Sequence, residues 1–192
     1  MAALALTFDD GPDPLWTPAV LDALAAAGAR ATFFVLAPPA RRHAELLRRA
    51  VDGGHTVAPH GDRHVRHTDM DAHTGRIDLE RTLDALSSAG VPRPRYWRTP
   101  WGVEAAWTRP LAAEHGLRHV GWDADTRDWR GDDAGSMLAA QPPRLDQTGS
   151  IVLAHDGLGP GARRSRCAET VALIAPLVAA GRALGLEARE LA

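Results

Sequence analysis

The chain has 192 residues, of which 45% are hydrophobic and 24% are charged, and its formal net charge is −2. This length fits one domain with a sizeable core, and the composition is typical of a soluble globular protein. Because there is no basic excess, the charge argues against a nucleic-acid-binding protein, and the single cysteine excludes an intrachain disulfide.

The first residues of the chain are predicted to form a strand rather than a targeting segment. Only eight residues precede Asp9, and they lack a basic region followed by an apolar one. No stretch of the sequence is long enough to cross a membrane. We therefore expect a cytoplasmic monomer for the chain as written, with secretion as the alternative if a leader has been removed.

Short apolar strands alternate with longer helical segments along the chain, and most of these segments end at a glycine. Strands are predicted at residues 3–8, 31–36, 55–58, 95–97, 117–122, 150–153 and 186–191. Helices are predicted at residues 17–27, 40–51, 76–89, 104–115 and 165–180. Glycine relieves the left-handed conformation that follows a helix. Recurring strand–helix units of this kind indicate an α/β fold with a parallel sheet covered by helices.

About seven such units, with no internal linker, favour a single domain over residues 1–192 that forms a closed or nearly closed β/α barrel. An open doubly wound sheet is the alternative. In both folds the functional groups gather at the C-terminal ends of the strands. The unusual polar residues of this sequence follow predicted strands in the same way: Asp9, Asp10, His60, His64, Arg98, Asp125, Asp128 and His155.

Two adjacent carboxylates follow the first predicted strand, in the segment TFDDGP of residues 7–12. Gly11 and Pro12 favour a turn, which would bring both side chains to one place. One carboxylate could then bind a metal ion while its neighbour acts as a base. A turn-forming or helix-capping aspartate pair is the alternative.

Two histidines, His60 and His64, are four residues apart, a spacing that suits two imidazoles on one metal ion. With a carboxylate from another strand end they form a three-ligand set, which leaves positions open for water as catalytic sites do. Such an ion activates water and polarises a carbonyl, and amide hydrolysis then needs a base, an oxyanion donor and an acid. A non-haem iron oxygenase uses the same ligands. That alternative leaves Asp9, Arg98 and His155 without roles.

Five segments in chain order resemble the motifs of the polysaccharide deacetylase family (carbohydrate esterase family 4, the NodB homology domain). They are TFDDGP at 7–12, HGDRH at 60–64, RTPWG at 98–102, DTRDW at 125–129 and LAH at 153–155. The resemblance implies a distorted (β/α) barrel of about seven strands. It also implies a metal-dependent hydrolase that removes N-acetyl groups from N-acetylglucosamine-containing oligo- or polysaccharides of the chitin or peptidoglycan type.

Other functions use the same machinery or the same fold. An O-acetyl esterase acting on xylan-type glycans and a small-molecule amide deacetylase would need the same site. A non-catalytic glycan-binding domain usually lacks the base, a ligand or the acid, and all of these are present here. The hydrolase interpretation is therefore favoured over the binding domain.

The resemblance also implies a role for each matching position. Asp9 is expected to be the general base, with Arg98 as the cation that pairs with it and orients it. Asp10, His60 and His64 are expected to bind one divalent metal ion. Zinc is the expected metal, with Co²⁺, Ni²⁺ or Mn²⁺ as alternatives.

The remaining motifs are expected to act on the leaving group and the acetyl group. His155 is implied as the general acid, and Asp125 as the carboxylate that holds and tunes it. The backbone N–H of Trp101 is implied as an oxyanion donor. Trp129 and Leu153 are implied to line the pocket for the acetyl methyl group.

The sequence departs from the family pattern at two positions. Gly61 follows His60, where the family usually has Ser or Thr, whose hydroxyl braces the loop in relatives. Trp101 stands where the family often has Tyr. We therefore expect this loop to be held differently, and the rim of the pocket to be bulkier.

Overall fold

The computed structural model describes residues 3–141 and 149–191. The strands in these ranges are β1 (Ala3–Asp9), β2 (Thr32–Leu36), β3 (Thr56–Gly61), β4 (Tyr96–Trp97), β5 (Arg118–His119), β6 (Ala124–Asp125), β7 (Ser150–His155) and β8 (Glu187–Arg189). The α-helices are α1 (Trp16–Ala26), α2 (Ala37–Arg42), α3 (Ala44–Asp52), α4 (Ala72–Ser88), α5 (Thr108–Glu114), α6 (Ala134–Ala139) and α7 (Ala168–Ala183). Among the described residues, no helix is both long enough and apolar enough to cross a membrane.

The strands are parallel and follow one another around a distorted ring. The main sheet has the order β3-β2-β1-β7-β6, and β4 pairs with β5 in a second sheet. One edge of β1 pairs with β7, and its other edge pairs first with β8 and then with β2. The N–H of Arg98 donates to the carbonyl of Pro59 at 3.3 Å, which links β4 to β3. The predicted α/β fold with a distorted barrel is confirmed.

A small cluster of side chains fills the interior of the ring. Its buried members are Ala5, Phe34, Ala58, Tyr96, Val120 and Leu191, and Ile151 packs against them. Because side chains alternate between the two faces of a strand, residues two and four positions later face the same interior. On β1 these are Thr7 and Asp9, and on β7 they are Leu153 and His155. The same alternation places His60 and Arg98 above this layer.

The opposite face of the sheet packs against the helices. Leu4, Leu6 and Phe8 of β1 are buried in the larger core cluster, which also contains buried residues of α1, α3, α4 and α7. Each such side chain stabilises the fold by about 1.5–3 kcal/mol. With buried residues on both faces, β1 is the rigid centre from which the aspartates at its end project.

The structure differs from the sequence-based prediction in the helix expected at residues 40–51. Two helices, α2 and α3, meet there at His43, whose φ of −129° and ψ of 46° are not helical. The first of them begins directly after β2, with Pro38 and Pro39 in its first turn. Proline is tolerated in a first turn because its missing N–H would have no partner there. The prolines therefore start a helix instead of preceding one.

Candidate metal centre and active-site pocket

A cavity of about 330 Å³ opens at the C-terminal ends of the strands. Of the ten site residues predicted from the sequence, nine line this cavity: Asp9, Asp10, His60, His64, Trp101, Asp125, Trp129, Leu153 and His155. The tenth, Arg98, is fully buried and contacts Asp9. Residues from five separate motifs are thus brought to one place by the parallel arrangement of the strands.

Three potential metal ligands converge in this cavity. The Oδ1 atom of Asp10 lies 3.5 Å from Nε2 of His60 and 3.2 Å from Nε2 of His64. It is buried, and no well-aligned hydrogen-bond donor reaches it from the described residues. Ligands that bind a tetrahedral zinc ion at about 2.1 Å are about 3.4 Å apart. The donor set and its spacing therefore fit one divalent cation.

The protonation of these ligands suits a cation. Burial alone would raise the pKa of Asp10, but the contact with His64 and the neighbouring His60 and His155 more than offset it and lower that pKa. Burial lowers the pKa of His60, which favours the neutral imidazole that binds metals. Its Nδ1 atom faces the carbonyl oxygen of Arg98 at 2.9 Å. A proton on Nδ1 donates to this carbonyl and leaves Nε2 free as a ligand.

Asp9 is bound by the guanidinium group of Arg98, and all three nitrogens of that group donate hydrogen bonds. Nη1 of Arg98 donates to Oδ1 of Asp9 at 2.8 Å and to the hydroxyl of Thr7 at 2.7 Å. The other nitrogens of Arg98 donate to the carbonyls of Val120 and Gly121. The second carboxylate oxygen of Asp9, Oδ2, is not bound by Arg98 and lies 3.8 Å from Nε2 of His60. This geometry places a basic oxygen beside the candidate metal position without making it a member of the three-ligand cluster.

The partner of His155 corrects the sequence-based assignment. Asp128, not Asp125, faces the imidazole, with Oδ1 at 2.7 Å from Nδ1 of His155. Asp125 instead accepts the N–H of Arg127 at 2.8 Å and lines the wall of the cavity. Arg127 has a φ of 56°, and this left-handed residue turns the chain so that the second aspartate of the motif points inward. The motif contains two equivalent acids, and only this backbone turn distinguishes them.

Charge within this pair keeps the histidine protonated. Burial alone would lower the pKa of His155, but the charge and hydrogen bond of Asp128, with the charges of Asp10 and Asp9, more than offset this effect and raise the pKa to about 9. Burial raises the pKa of Asp128, but the charge of His155, its hydrogen bond and the charge of Arg164 lower it to about 2. At neutral pH the pair is therefore an imidazolium beside a carboxylate, and the imidazolium can donate a proton.

Sequence reasoning missed two residues that hold Asp128. Nη1 of Arg164 and the hydroxyl of Thr170 both donate to its Oδ2 atom, at 2.9 and 2.8 Å. Nη2 of Arg164 also donates to the carbonyl of His155. Both residues lie more than thirty positions beyond Asp128, outside every recognised motif, so no local pattern marks them.

A buried acid next to His155 was also missed. Asp156 accepts a hydrogen bond from the hydroxyl of Thr17, and its N–H donates to the carbonyl of Asp9. Burial raises the pKa of Asp156 to about 7, aided by the charges of Asp10 and Asp9 and opposed by the hydrogen bond from Thr17. A Cβ atom on Gly11 would lie 2.4 Å from this carboxylate. Asp156 therefore packs directly against the turn that carries Asp10.

Three site residues have left-handed backbone conformations. Their φ angles are 75° at Asp10, 52° at His64 and 62° at Trp101. Such a conformation costs about 1–2 kcal/mol for a residue with a side chain, and it persists where the surroundings enforce it. The indole N–H of Trp101 donates to the carbonyl of His64 at 3.3 Å, and a Cβ on Gly159 would lie 1.9 Å from Oδ2 of Asp10. The hydrogen bond joins two of these three residues, and the missing side chain at Gly159 leaves room for the carboxylate of Asp10.

Known proteins resemble this chain in both sequence and structure. Residues 2–120 match the family model described as polysaccharide deacetylase. A chitooligosaccharide deacetylase of Sinorhizobium fredii is 39% identical over 97% of this chain and 88% of its own length. A peptidoglycan-N-acetylglucosamine deacetylase of Bacillus cereus is 31% identical over 82% of this chain and 57% of its own. The structure of a family 4 carbohydrate esterase from Streptomyces lividans in complex with acetate superposes with a TM-score of 0.87 at 32% identity, over 97% of this chain and 91% of that one.

Proposed function

The chain belongs to the polysaccharide deacetylase family, and on this basis we propose that it is a metal-dependent hydrolase that removes N-acetyl groups from N-acetylglucosamine-containing oligo- or polysaccharides. One observation carries the proposal. A three-ligand cluster, an arginine-held carboxylate and a carboxylate-held imidazolium line or directly adjoin a single open cavity. These are the groups that hydrolysis of an unactivated amide requires.

Asp10, His60 and His64 would hold the divalent metal ion. When bound, such an ion lowers the pKa of water and polarises a carbonyl oxygen. Two imidazoles and one carboxylate suit zinc, and Co²⁺, Ni²⁺ and Mn²⁺ are the other candidates. The hydrogen bond of His60 to the carbonyl of Arg98 fixes its ring, so that Nε2 is the ligand atom.

The protein's own groups would move the protons. The free oxygen of Asp9 takes a proton from the attacking water, while Arg98 keeps the other oxygen fixed. His155 gives its proton from Nε2 to the leaving nitrogen, because Nδ1 is engaged by Asp128. The N–H of Trp101 is assigned to the developing oxyanion.

The remaining pocket residues would bind the acetyl group and the sugar. We assign Leu153 and Trp129 to the acetyl methyl group, since both line the cavity and present apolar surface. Trp101 is 39% exposed at the rim, with the guanidinium of Arg66 over its ring at 4.4 Å, and we assign the exposed part of the indole to contact with the sugar. The raised pKa of His155, about 9, keeps available at neutral pH the proton that a leaving amine must receive.

Product analysis tests this function directly. The metal-loaded protein is incubated separately with a chitooligosaccharide and with acetylated xylan, and free amine and acetate are measured. We expect amine and acetate in equal amounts from the chitooligosaccharide. Acetate from xylan alone would show an O-acetyl esterase, and release from neither substrate would exclude activity on chitooligosaccharides and on acetylated xylan.

Removal of the metal should abolish the activity. We expect a chelator to reduce amine release by at least about 100-fold, because the metal-dependent part of the barrier reduction is lost. Added Zn²⁺ or Co²⁺ should restore it. The control is the Asp10→Ala variant, which should stay inactive after the same addition. Full activity in protein shown by elemental analysis to be metal-free would contradict the assignment.

Separate replacement of each aspartate of the fourth motif by asparagine tests whether Asp128 is the partner of His155. Asp128→Asn should lower the pKa of His155 from about 9 toward its ordinary value, and so move the alkaline limb of kcat to lower pH. We also expect kcat to fall about 10- to 100-fold, because the acid is less well oriented. The matched variant Asp125→Asn should leave the limb unmoved. The pH profiles of both variants are the measurement, and a shift with Asp125→Asn alone would reverse the correction.

A further inference from the structure

The loop between the two histidine ligands rests on a carboxylate from another element. Oδ2 of Asp78, in α4, accepts the N–H of Asp62 at 2.8 Å, and Oδ1 accepts the N–H of Arg63 at 3.2 Å. These two donors lie between His60 and His64 in the chain. The side chain of Asp78 is only 5% exposed, so its hydrogen bonds are shielded from competing water.

Gly61 makes the close approach of this carboxylate possible. A Cβ atom at position 61 would lie 2.9 Å from Oδ2 of Asp78, and the φ of Gly61 is +136°. The position therefore requires glycine on two grounds, backbone conformation and space. Gly61 has no hydroxyl with which to brace the loop, and the loop is held differently, as expected, by a carboxylate from α4.

The loop has a strained residue at its C-terminal end. His64 has a φ of 52°, a conformation that needs enforcement from its surroundings. The hydroxyl of Thr82, one turn further along α4, donates to the backbone carbonyl of Asp78 at 2.8 Å. The carboxylate of Asp62 points away from the loop and pairs with Arg41 and Arg81 at 3.3 and 3.5 Å. Among the described residues, the carboxylate that accepts the N–H groups of both Asp62 and Arg63 is therefore that of Asp78.

We propose that Asp78 is a positioning residue for the metal site, which fixes the backbone between His60 and His64 and thereby the separation of their Nε2 atoms. The inference rests on the proposed function, because it concerns ligands of the metal on which that function depends. It goes beyond that function in predicting that an acid outside the cavity lining sets the metal affinity.

Metal affinity is the primary test, and it needs no turnover. Asp78→Asn keeps one acceptor oxygen but turns an NH₂ group toward a backbone donor. We expect its dissociation constant for Zn²⁺, measured by competition with a chromophoric chelator, to rise about 10- to 100-fold. The visible spectrum of the Co²⁺ form should change in position or intensity. Asp78→Glu keeps both acceptor oxygens and should recover part of the affinity.

A second acid of the same helix provides the matched control. Asp71 caps α4, where its Oδ1 atom accepts the N–H of Thr74 at 2.7 Å, and it is exposed. Asp71→Ala should lower the melting temperature of the apo protein and leave the Zn²⁺ affinity and the Co²⁺ spectrum unchanged. A purely structural role of Asp78 would make the two variants behave alike.

Each outcome bears on the inference. Wild-type affinity and spectrum in Asp78→Asn, or an equal loss of affinity in Asp71→Ala, would overturn it. Should Asp78→Asn fail to fold, the comparison of Asp78→Glu with Asp71→Ala decides in the same way. If the wild-type protein binds Zn²⁺ but releases no amine from a chitooligosaccharide, the proposed function fails while the affinity test of Asp78 still gives its answer.

Discussion

Asp9→Asn is expected to reduce kcat for amine release by about 10³-fold, within the usual range of 10²–10⁴ for a positioned general base. The asparagine has nearly the same shape as the aspartate and keeps an acceptor oxygen for Arg98. It cannot take a proton from water. Because the base lies outside the three-ligand cluster, metal affinity should stay within about 3-fold of wild type, a change of less than one kcal/mol.

The stability of the Asp9→Asn variant must be measured as a control, because a loss of folded protein would also reduce the activity. Arg98 is fully buried, and the substitution removes the charge that pairs with it. Loss of one partner of a buried ion pair costs about 3–5 kcal/mol, so the melting temperature must be measured and assays run well below it. A folded, metal-loaded variant that keeps more than about a tenth of wild-type kcat would contradict the role of Asp9 as base.

His155→Ala should slow amide cleavage by about 10²–10³-fold, since an amine leaves poorly without a proton. With 4-nitrophenyl acetate, whose leaving group needs no proton, the loss should be much smaller. The matched control is His73→Ala, which removes an exposed histidine of α4 outside the cavity lining. Equal losses on both substrates would count against the acid role.

The pH dependence follows from the same pair. Against the effect of burial, Asp128 and the charges of Asp10 and Asp9 raise the pKa of His155 from 6.5 to about 9, so its protonated form is present at neutral pH and lost as the pH rises through about 9. The free energy of unfolding should follow the same course. The stabilising contribution of the pair is complete below about 6.5 and disappears above about 9. Chemical unfolding of wild type and Asp128→Asn between these pH values measures it.

Much of the fold and of the site follows from short-range patterns. The alternation of strands and helices predicts the parallel sheet, and the period of two along a strand carries Ala5, Thr7 and Asp9 to one face. Polar residues at strand ends are close in space because parallel strands end on the same side. The resemblance of the five motifs to a known family adds a role for each site residue, which the spacing of the residues alone does not supply.

What the sequence did not predict depends on the course of the backbone between motifs. Asp125 and Asp128 are chemically equivalent in the fourth motif, and the left-handed turn at Arg127 selects the second. Asp78 lies in a helix, where an acid ordinarily faces solvent, and only the packing of α4 against β3 shows that it faces a loop. Arg164 is similarly unmarked. Such partners are separated by many residues and joined only in the folded chain.

Anomalous diffraction from crystals grown with Zn²⁺ would locate the bound ion itself. We expect one strong peak bonded to Asp10 Oδ1 and to the Nε2 atoms of His60 and His64, with the free oxygen of Asp9 beside it and His155 facing the same cavity. A peak bound elsewhere, or these three side chains directed away from a common ion, would contradict a catalytic metal site at the end of the strands.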